Sequence, residues 1–213
     1  MKAPTLDTVK DRLRLVLLLD ACEAADLTPI PLMRFHALAF LANVLSPVWS
    51  IESYDGKILK RKEGPFYPEL QRELDLLVGL GLVSICNVGT HADNGVNRLH
   101  GAFSLNSQRC EDLLSTASTF HSESTLRTFF RRLTFASSRL RAQLESVVGS
   151  DATWSDPRTG TGDIVDFSEW SRANYSAYAA LAFDSVAKAP KSSIANKLQL
   201  YLRFLEKKAL HDS

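Results

Sequence analysis

Apolar side chains in the N-terminal half of the chain recur at helical spacing in three segments. Residues 5–25 and 69–78 each place their large apolar residues on one side of a helical wheel, with charged residues elsewhere. Residues 31–45 are apolar on most sides, which is typical of a helix buried in a protein core. The third helix is predicted to end at Gly79 and Gly81, because glycine accepts the backbone conformation that closes a helix.

Shorter segments between and after these helices favour strands and turns. Residues 64–68, Gly-Pro-Phe-Tyr-Pro, predict a turn into the third helix, because each proline pushes its predecessor out of the helical region. Ile58 and Leu59 predict a short strand, and residues 82–86 and 98–105 predict two more around a polar, turn-rich stretch at 89–97. Helix, strand, loop and strand in this order predict a winged-helix-like domain at residues 1–105, with a β-hairpin as the wing.

The C-terminal half reads as helical. The pattern predicts helices at residues 107–120, 124–148, 167–188 and 193–210, and a loop at 149–163 that is rich in glycine and polar residues. The apolar face of the longest of these helices consists of Leu126, Phe129, Phe130, Leu133, Leu140, Leu144 and Val147. The predicted fold class is therefore mainly α: a winged-helix-like N-terminal part packed with a C-terminal helical bundle at residues 106–213.

Composition and charge are those of an ordinary globular protein of 213 residues, with 25 Lys and Arg against 24 Asp and Glu. A net charge of +1 gives no support to a dedicated nucleic-acid binder. No signal peptide or membrane-spanning run is visible, so we expect a cytoplasmic protein that does not enter a membrane. Cys22 and Cys86 stand in apolar runs and are predicted to be buried.

The third helix occupies the position that reads DNA in many winged helices, but its polar residues suit that role poorly. Opposite the apolar face stand Glu69, Gln71, Arg72, Glu73 and Asp75. Three carboxylates against one guanidinium repel phosphates, so a protein partner is favoured over DNA.

The aromatic pair before this helix, Phe66 and Tyr67, is a candidate partner anchor, and the alternative is that both rings pack inside the fold. The predicted partner-binding residues are Phe66, Tyr67, Glu69, Arg72 and Glu73.

Two groups of cations are candidates for contact with phosphate or with an acidic protein surface. The first is Lys57, Lys60, Arg61 and Lys62, and the second is Arg127, Arg131, Arg132, Arg139 and Arg141 on the predicted long helix. The alternative for both groups is a solvated face, or pairing with acids of other helices in the same chain.

Catalytic and metal-binding patterns are weak. His36 lies within the apolar helix and is predicted to be a hydrogen-bonded core histidine. His91, Asp93 and His100 could face one another across the hairpin, but a polar wing tip is favoured over a metal site. Residues 159–163 lack the lysine and hydroxyl of a phosphate loop, and we read them as a flexible loop. We therefore expect no enzyme, no metal and no cofactor.

Residues 57–85, KILKRKEGPFYPELQRELDLLVGLGLVSI, resemble the middle components of bacterial three-component ABC-ATPase conflict systems. That group includes the small subunit of Lamassu-type anti-phage and anti-plasmid systems. The features that carry the resemblance are the basic approach strand, the Gly-Pro-Phe-Tyr-Pro segment, the leucine-faced helix and Gly81-Leu82-Val83.

The resemblance implies a non-catalytic accessory subunit. Such a subunit would bridge an SMC-like ABC ATPase and an effector, often a nuclease. The two groups of cations described above are the candidates for an auxiliary, non-specific contact with DNA. Two alternatives stay open from the residues alone: a winged-helix transcription regulator, which would bind DNA as a homodimer, and an unrecognised hydrolase or nuclease.

Overall fold

The computed structural model describes residues 6–53, 57–93, 96–140, 144–166, 174–186 and 193–211, and the side chains within them except Leu6, 91–99 and 183–186. The described residues are mainly helical, with two small antiparallel sheets. The N-terminal helices are α1 (Leu6–Ala24), α2 (Leu32–Leu45) and α3 (Pro68–Gly79). The later helices are α4 (Ser107–Thr119), α5 (His121–Ser137), α6 (Leu144–Gly149), α7 (Tyr175–Val186) and α8 (Ile194–His211), with 3₁₀ turns at Ser46–Trp49 and Ser138–Leu140.

The first sheet gives the N-terminal part its winged-helix arrangement. Strands β4 (Val83–Asp93) and β5 (Val96–Leu105) form a hairpin, and β1 (Ile30–Pro31) pairs with β5, so β5 is the central strand in the order β1-β5-β4. Ile30 lies opposite Phe103, and Val83 opposite Leu105. Gly81 has φ +71°, which lets the chain turn from α3 into β4 without strain. The predicted mainly α, winged-helix-like fold is confirmed.

The hairpin is longer than the sequence predicted. Residues 89–97 were expected to be a polar turn, but pairing continues from Gly89 opposite His100 to Asp93 opposite Val96. A register irregularity lies between Cys86 and Gly89, where Asn87 has a positive φ. The prediction was wrong because backbone hydrogen bonds can hold two polar strands together without an apolar face.

The second sheet joins the two halves of the chain. Strand β2 (Lys57–Arg61) pairs with β3 (Gly64–Phe66) on one side and with β6 (Ile164–Asp166) on the other. The predicted strand at Ile58 and Leu59 is confirmed. The predicted turn at 64–68 is wrong in its first three residues, because Pro65 is tolerated on the edge of a sheet, where no donor is needed.

The predicted helix 124–148 is also wrong as a single helix. Helix α5 ends at Ser137, a 3₁₀ turn follows, and α6 begins at Leu144. Hydroxyl groups near the break bond to backbone carbonyls: Thr134 Oγ1 donates to Phe130 O and Ser138 Oγ to Phe135 O. Such bonds compete with continued helix formation. All seven residues of the predicted apolar face are nevertheless buried.

Helix α2 lies in the core. One cluster of buried side chains includes residues of α1, α2, α5 and α8, among them Leu17, Leu41, Phe129 and Leu202. Leu32–Trp49 is the one segment among the described residues that is apolar and long enough to cross a membrane, and 72% of it is buried inside the fold. That burial is what a core helix requires, as predicted. The domain boundary at residue 105 stays a prediction.

A buried carboxylate holds the C-terminal helices together. Asp151, two residues after the end of α6, accepts hydrogen bonds from Ser176 of α7 (2.7 Å) and Tyr201 of α8 (2.7 Å). It also accepts from the backbone N–H groups of Thr153 (2.9 Å) and Trp154 (3.1 Å). Burial raises the pKa of Asp151, and these donors oppose the rise. The predicted loop 149–163 is therefore anchored at its start.

Candidate functional site

A buried histidine fixes the start of α3. The Tyr67 backbone N–H donates to His36 Nδ1 (3.2 Å), and His36 Nε2 lies 3.2 Å from Gln71 Oε1. Because the backbone group can only donate, Nδ1 is the acceptor and the ring proton resides on Nε2. Burial, helped by the charge of Arg61, lowers the pKa of His36 to about 4, so the ring is neutral. The predicted core histidine is confirmed.

The same chain of bonds reaches the surface of α3. With its Oε1 taken by His36, Gln71 directs its amide nitrogen to Asp75 Oδ1 at 2.7 Å. Glu73, which was expected on the surface, is instead 6% exposed and accepts from Arg12 Nε of α1 at 2.6 Å. The helical wheel places Glu73 on the polar face of α3. The pattern does not reveal its ion-pair partner Arg12, because Arg12 is distant in sequence.

The outward face of α3 is acidic and partly apolar. Its exposed charges are Glu69, Arg72 and Asp75, and Arg72 lies 2.5 Å from Glu69 and 3.4 Å from Glu73. The one guanidinium on this face is therefore already matched by carboxylates. Sequence reasoning missed two exposed leucines at the end of the helix, Leu76 and Leu80. We call Glu69, Arg72, Asp75, Leu76 and Leu80 the α3 face.

The aromatic pair divides between core and surface. Tyr67 is 1% exposed and stacks against His36 at 6.2 Å between ring centroids, so it packs inside the fold. Phe66 is half-buried, and the Arg61 guanidinium lies 3.4 Å above its ring. Of the two proposed anchors, only Phe66 presents any surface, and that surface lies beside a cation.

The first basic group is split by the loop that follows α6. Lys60 Nζ donates to the carbonyls of Trp154 (2.6 Å) and Thr159 (2.8 Å) and lies over the Trp154 ring. Desolvation lowers the pKa of Lys60. Arg61 covers Phe66, so Lys57 and Lys62 are the two residues of this group that are exposed.

The glycine-rich segment 159–163 closes on itself. The Gly160 N–H donates to Asp163 Oδ2 at 2.7 Å, and the Asp163 N–H donates to Gly160 O at 3.2 Å. Asp163 O in turn accepts from the Lys60 N–H of β2. A carboxylate thus takes the backbone donor that a phosphate loop would offer to an anion.

The arginine stripe of α5 also divides in two. Arg127 forms a bidentate pair with Asp20 of α1 (2.9 and 3.0 Å), and Arg131 approaches the same carboxylate at 3.4 Å. This is the intramolecular pairing that was the alternative for the stripe. Arg132 and Arg139 are exposed, and Arg141 lies outside the described residues. Sequence reasoning missed Phe135, which stands among these arginines and is 70% exposed.

The histidines of the hairpin and the cysteines are the residues to compare with a metal or thiol site. Among the residues that the structure describes, no group of three or more His, Cys, Asp or Glu could hold a metal ion. The side chains of His91 and Asp93 lie outside the described residues, and His100 is exposed. Cys22 is buried as predicted, whereas Cys86 is exposed, so the prediction for Cys86 was wrong. Cys86 lies where the hairpin register shifts, beyond the part that packs on the core.

Helices α7 and α8 pack against each other and carry a further exposed apolar surface that sequence reasoning missed. Its members are Tyr175, Tyr178 and Leu181 on α7 and Leu200 and Phe204 on α8. Contiguous exposed apolar patches are typical of protein-binding surfaces.

No protein-family model matches the chain, and no curated protein matches it significantly.

Proposed function

We propose that this protein is a non-catalytic, cytoplasmic accessory subunit that bridges an SMC-like ABC ATPase and an effector in an anti-phage or anti-plasmid defence complex. The observation that carries the proposal is the α3 face. In a winged helix this position approaches DNA, yet here it presents carboxylates and leucines, with its one guanidinium held between Glu69 and Glu73.

Electrostatics disfavour DNA at this face and favour a protein. Glu69 and Asp75 would meet phosphate charges at close range, and no unmatched cation stands among the exposed residues of α3 to offset them. Leu76 and Leu80 would gain nothing from a phosphate backbone, whereas burial against a protein removes their apolar surface from water.

Assembly with more than one partner is supported by the number of candidate surfaces. The α3 face, the exposed part of α5 around Phe135, and the apolar surface of α7 and α8 are carried by different helices. A subunit that holds two proteins together needs at least two such surfaces. The identity of the partners rests on the resemblance of residues 57–85 to the middle components of Lamassu-type systems, which imply an SMC-like ATPase and an effector that is often a nuclease.

Purification of the tagged protein from its native operon context at high salt tests the proposal. We expect an ATPase with a long coiled coil to co-elute with the wild-type protein and to be lost when Leu76→Glu and Leu80→Glu are combined. Leu113→Glu, at a similarly exposed leucine on α4, is the matched control and should retain the ATPase. A lone homodimer that shifts a specific promoter fragment would overturn the proposal.

The competing function, a winged-helix transcription regulator, has one specific observation in its favour. The sheet order β1-β5-β4 and the long hairpin are those of a winged helix, and Lys57 and Lys62 are exposed in the same domain, shortly before α3. That function predicts a DNA complex whose affinity falls steeply with salt. Measuring binding to duplex DNA at two salt concentrations decides between the two functions.

A further inference from the structure

Helix α5 presents an exposed phenyl ring between arginines. Phe135 lies one helical turn beyond Arg131 and Arg132, and Arg139 follows in the 3₁₀ turn. The ring is 70% exposed, and the side chains of all three arginines reach solvent. We call Arg131, Arg132, Phe135 and Arg139 the α5 strip.

The α5 strip carries an excess of positive charge. Asp20, the carboxylate that faces it from α1, is already bound bidentately by Arg127, and Arg131 shares it only at 3.4 Å. Arg132 and Arg139 form no ion pair with any residue that the structure describes. The single acid within α5 is Glu123 in its first turn, more than two turns before Arg132. Positive charge on this face is therefore not neutralised within the described fold.

We propose that the α5 strip docks an acidic amphipathic helix of a protein partner, with Phe135 against an apolar side chain and the arginines against flanking carboxylates. In coiled coils, two helices pair along an apolar seam that is flanked by charged residues. Guanidinium groups suit carboxylates because they can bind them through two parallel hydrogen bonds. This inference deepens the proposed function, on which it rests, by naming the chemistry of one partner.

Nucleic acid fits the α5 strip less well than an acidic protein. A duplex binder typically neutralises about 6–10 phosphates, whereas three arginines point outward here. Single-stranded nucleic acid is held in grooves where successive bases stack on several aromatic rings. The α5 strip offers one ring on the convex surface of a helix, with Thr128 as the next exposed residue toward the N-terminus.

The test uses the full chain and labelled synthetic probes in fluorescence anisotropy. One probe is a helical peptide with a leucine flanked on the same face by glutamates, and a second is its isomer with that order scrambled. Oligothymidine and a random duplex are the nucleic-acid probes. We expect the ordered peptide to bind most tightly, with an affinity that falls as salt is raised.

Two variants and two matched controls assign the binding to residues. Phe135→Ser should weaken the ordered peptide at least about fivefold, as expected for a central aromatic contact. Combining Arg132→Glu with Arg139→Glu should abolish binding. Phe120→Ser and Arg203→Glu remove an exposed ring between α4 and α5 and an exposed cation on α8, and should bind as the wild type does.

Any of three results would overturn the inference. They are equal affinity for the scrambled peptide, tighter binding of either nucleic acid, and no peptide binding by the wild-type protein. These results leave the proposed function intact, because that function is tested separately. Its test is whether the wild-type protein co-purifies the ATPase and whether substitutions in the α3 face remove it. Failure of the wild-type protein to co-purify an ATPase, with peptide binding retained, would overturn the proposed function and keep the docking surface.

Discussion

Acidification should destabilise this protein through His36. The ring is fully buried and neutral, with Nδ1 accepting from the Tyr67 N–H and Nε2 facing Gln71. Protonation would place a proton on Nδ1, where the backbone donor already points, and would leave a charge in the core. The start of α3 would then lose its hydrogen bond to α2.

The magnitude follows from the two pKa values of His36. In the unfolded chain the pKa is near 6.5, and in the folded protein it is about 4, mainly because burial disfavours the charged ring. The unfolded state therefore takes up the proton first as the pH falls. The contribution of His36 to stability is complete above about pH 6.5 and is lost by about pH 4, a change of about 3 kcal/mol.

The assay is urea unfolding of the wild type and of His36→Asn between pH 7 and pH 4. Asparagine retains an oxygen near the position of Nδ1 that can accept from Tyr67 but cannot titrate. The variant should be less stable at pH 7 because it fills less of the core, but its stability should fall about 3 kcal/mol less on acidification. Asp151, whose raised pKa acts in the opposite direction, is common to both proteins and cancels.

A surface control separates this effect from general acid sensitivity. His121→Gln removes an exposed histidine at the start of α5 and should keep the pH dependence of the wild type. Parallel pH profiles for the wild type and His36→Asn would refute the reasoning, because they would mean that His36 is not held neutral by the fold.

Three further predictions test other parts of the structure. Cys86 should be alkylated rapidly in the native protein and Cys22 only after unfolding, because burial raises the pKa of the Cys22 thiol. Mass spectrometry of labelled peptides checks this, and equal labelling of the two cysteines would contradict it. Asp151→Ala should lower the free energy of unfolding in urea by about 3 kcal/mol or more, because four donors lose their acceptor. Asp151→Asn should lower it less, and equal losses for the two variants would contradict the hydrogen-bonding role. Lys60→Met should lower the free energy of unfolding by about 1–2 kcal/mol, whereas Lys57→Met should change it by less than about 0.5 kcal/mol. A larger loss for Lys57→Met than for Lys60→Met would mean that the loop does not hold Lys60.

Local patterns in the sequence were sufficient for the helices that form the core. The all-round apolar character of α2 and the one-sided face of α3 depend on neighbours within a few residues, so periodicity predicts them. The burial of His36 within such a helix followed from the same pattern. The turn from α3 to β4 followed from Gly81, whose positive φ suits glycine.

Features that depend on distant partners could not be predicted in this way. Gly64–Phe66 becomes a strand because β2 lies beside it, and Glu73 turns inward because Arg12 of α1 meets it. The Lys60 ammonium donates to two carbonyls of the loop after α6 instead of being exposed like Lys57 and Lys62. Exposure of Phe135 depends on the neighbouring helices covering the other side of α5.

The central claim, that the α3 face binds a protein and not DNA, is tested most directly by hydrogen–deuterium exchange. We predict that the ATPase recovered by co-purification slows exchange of the backbone amides of α3, whereas duplex DNA leaves them unchanged. Slower exchange in α3 and in the β4–β5 hairpin on addition of DNA, with no effect of the ATPase, would contradict the account.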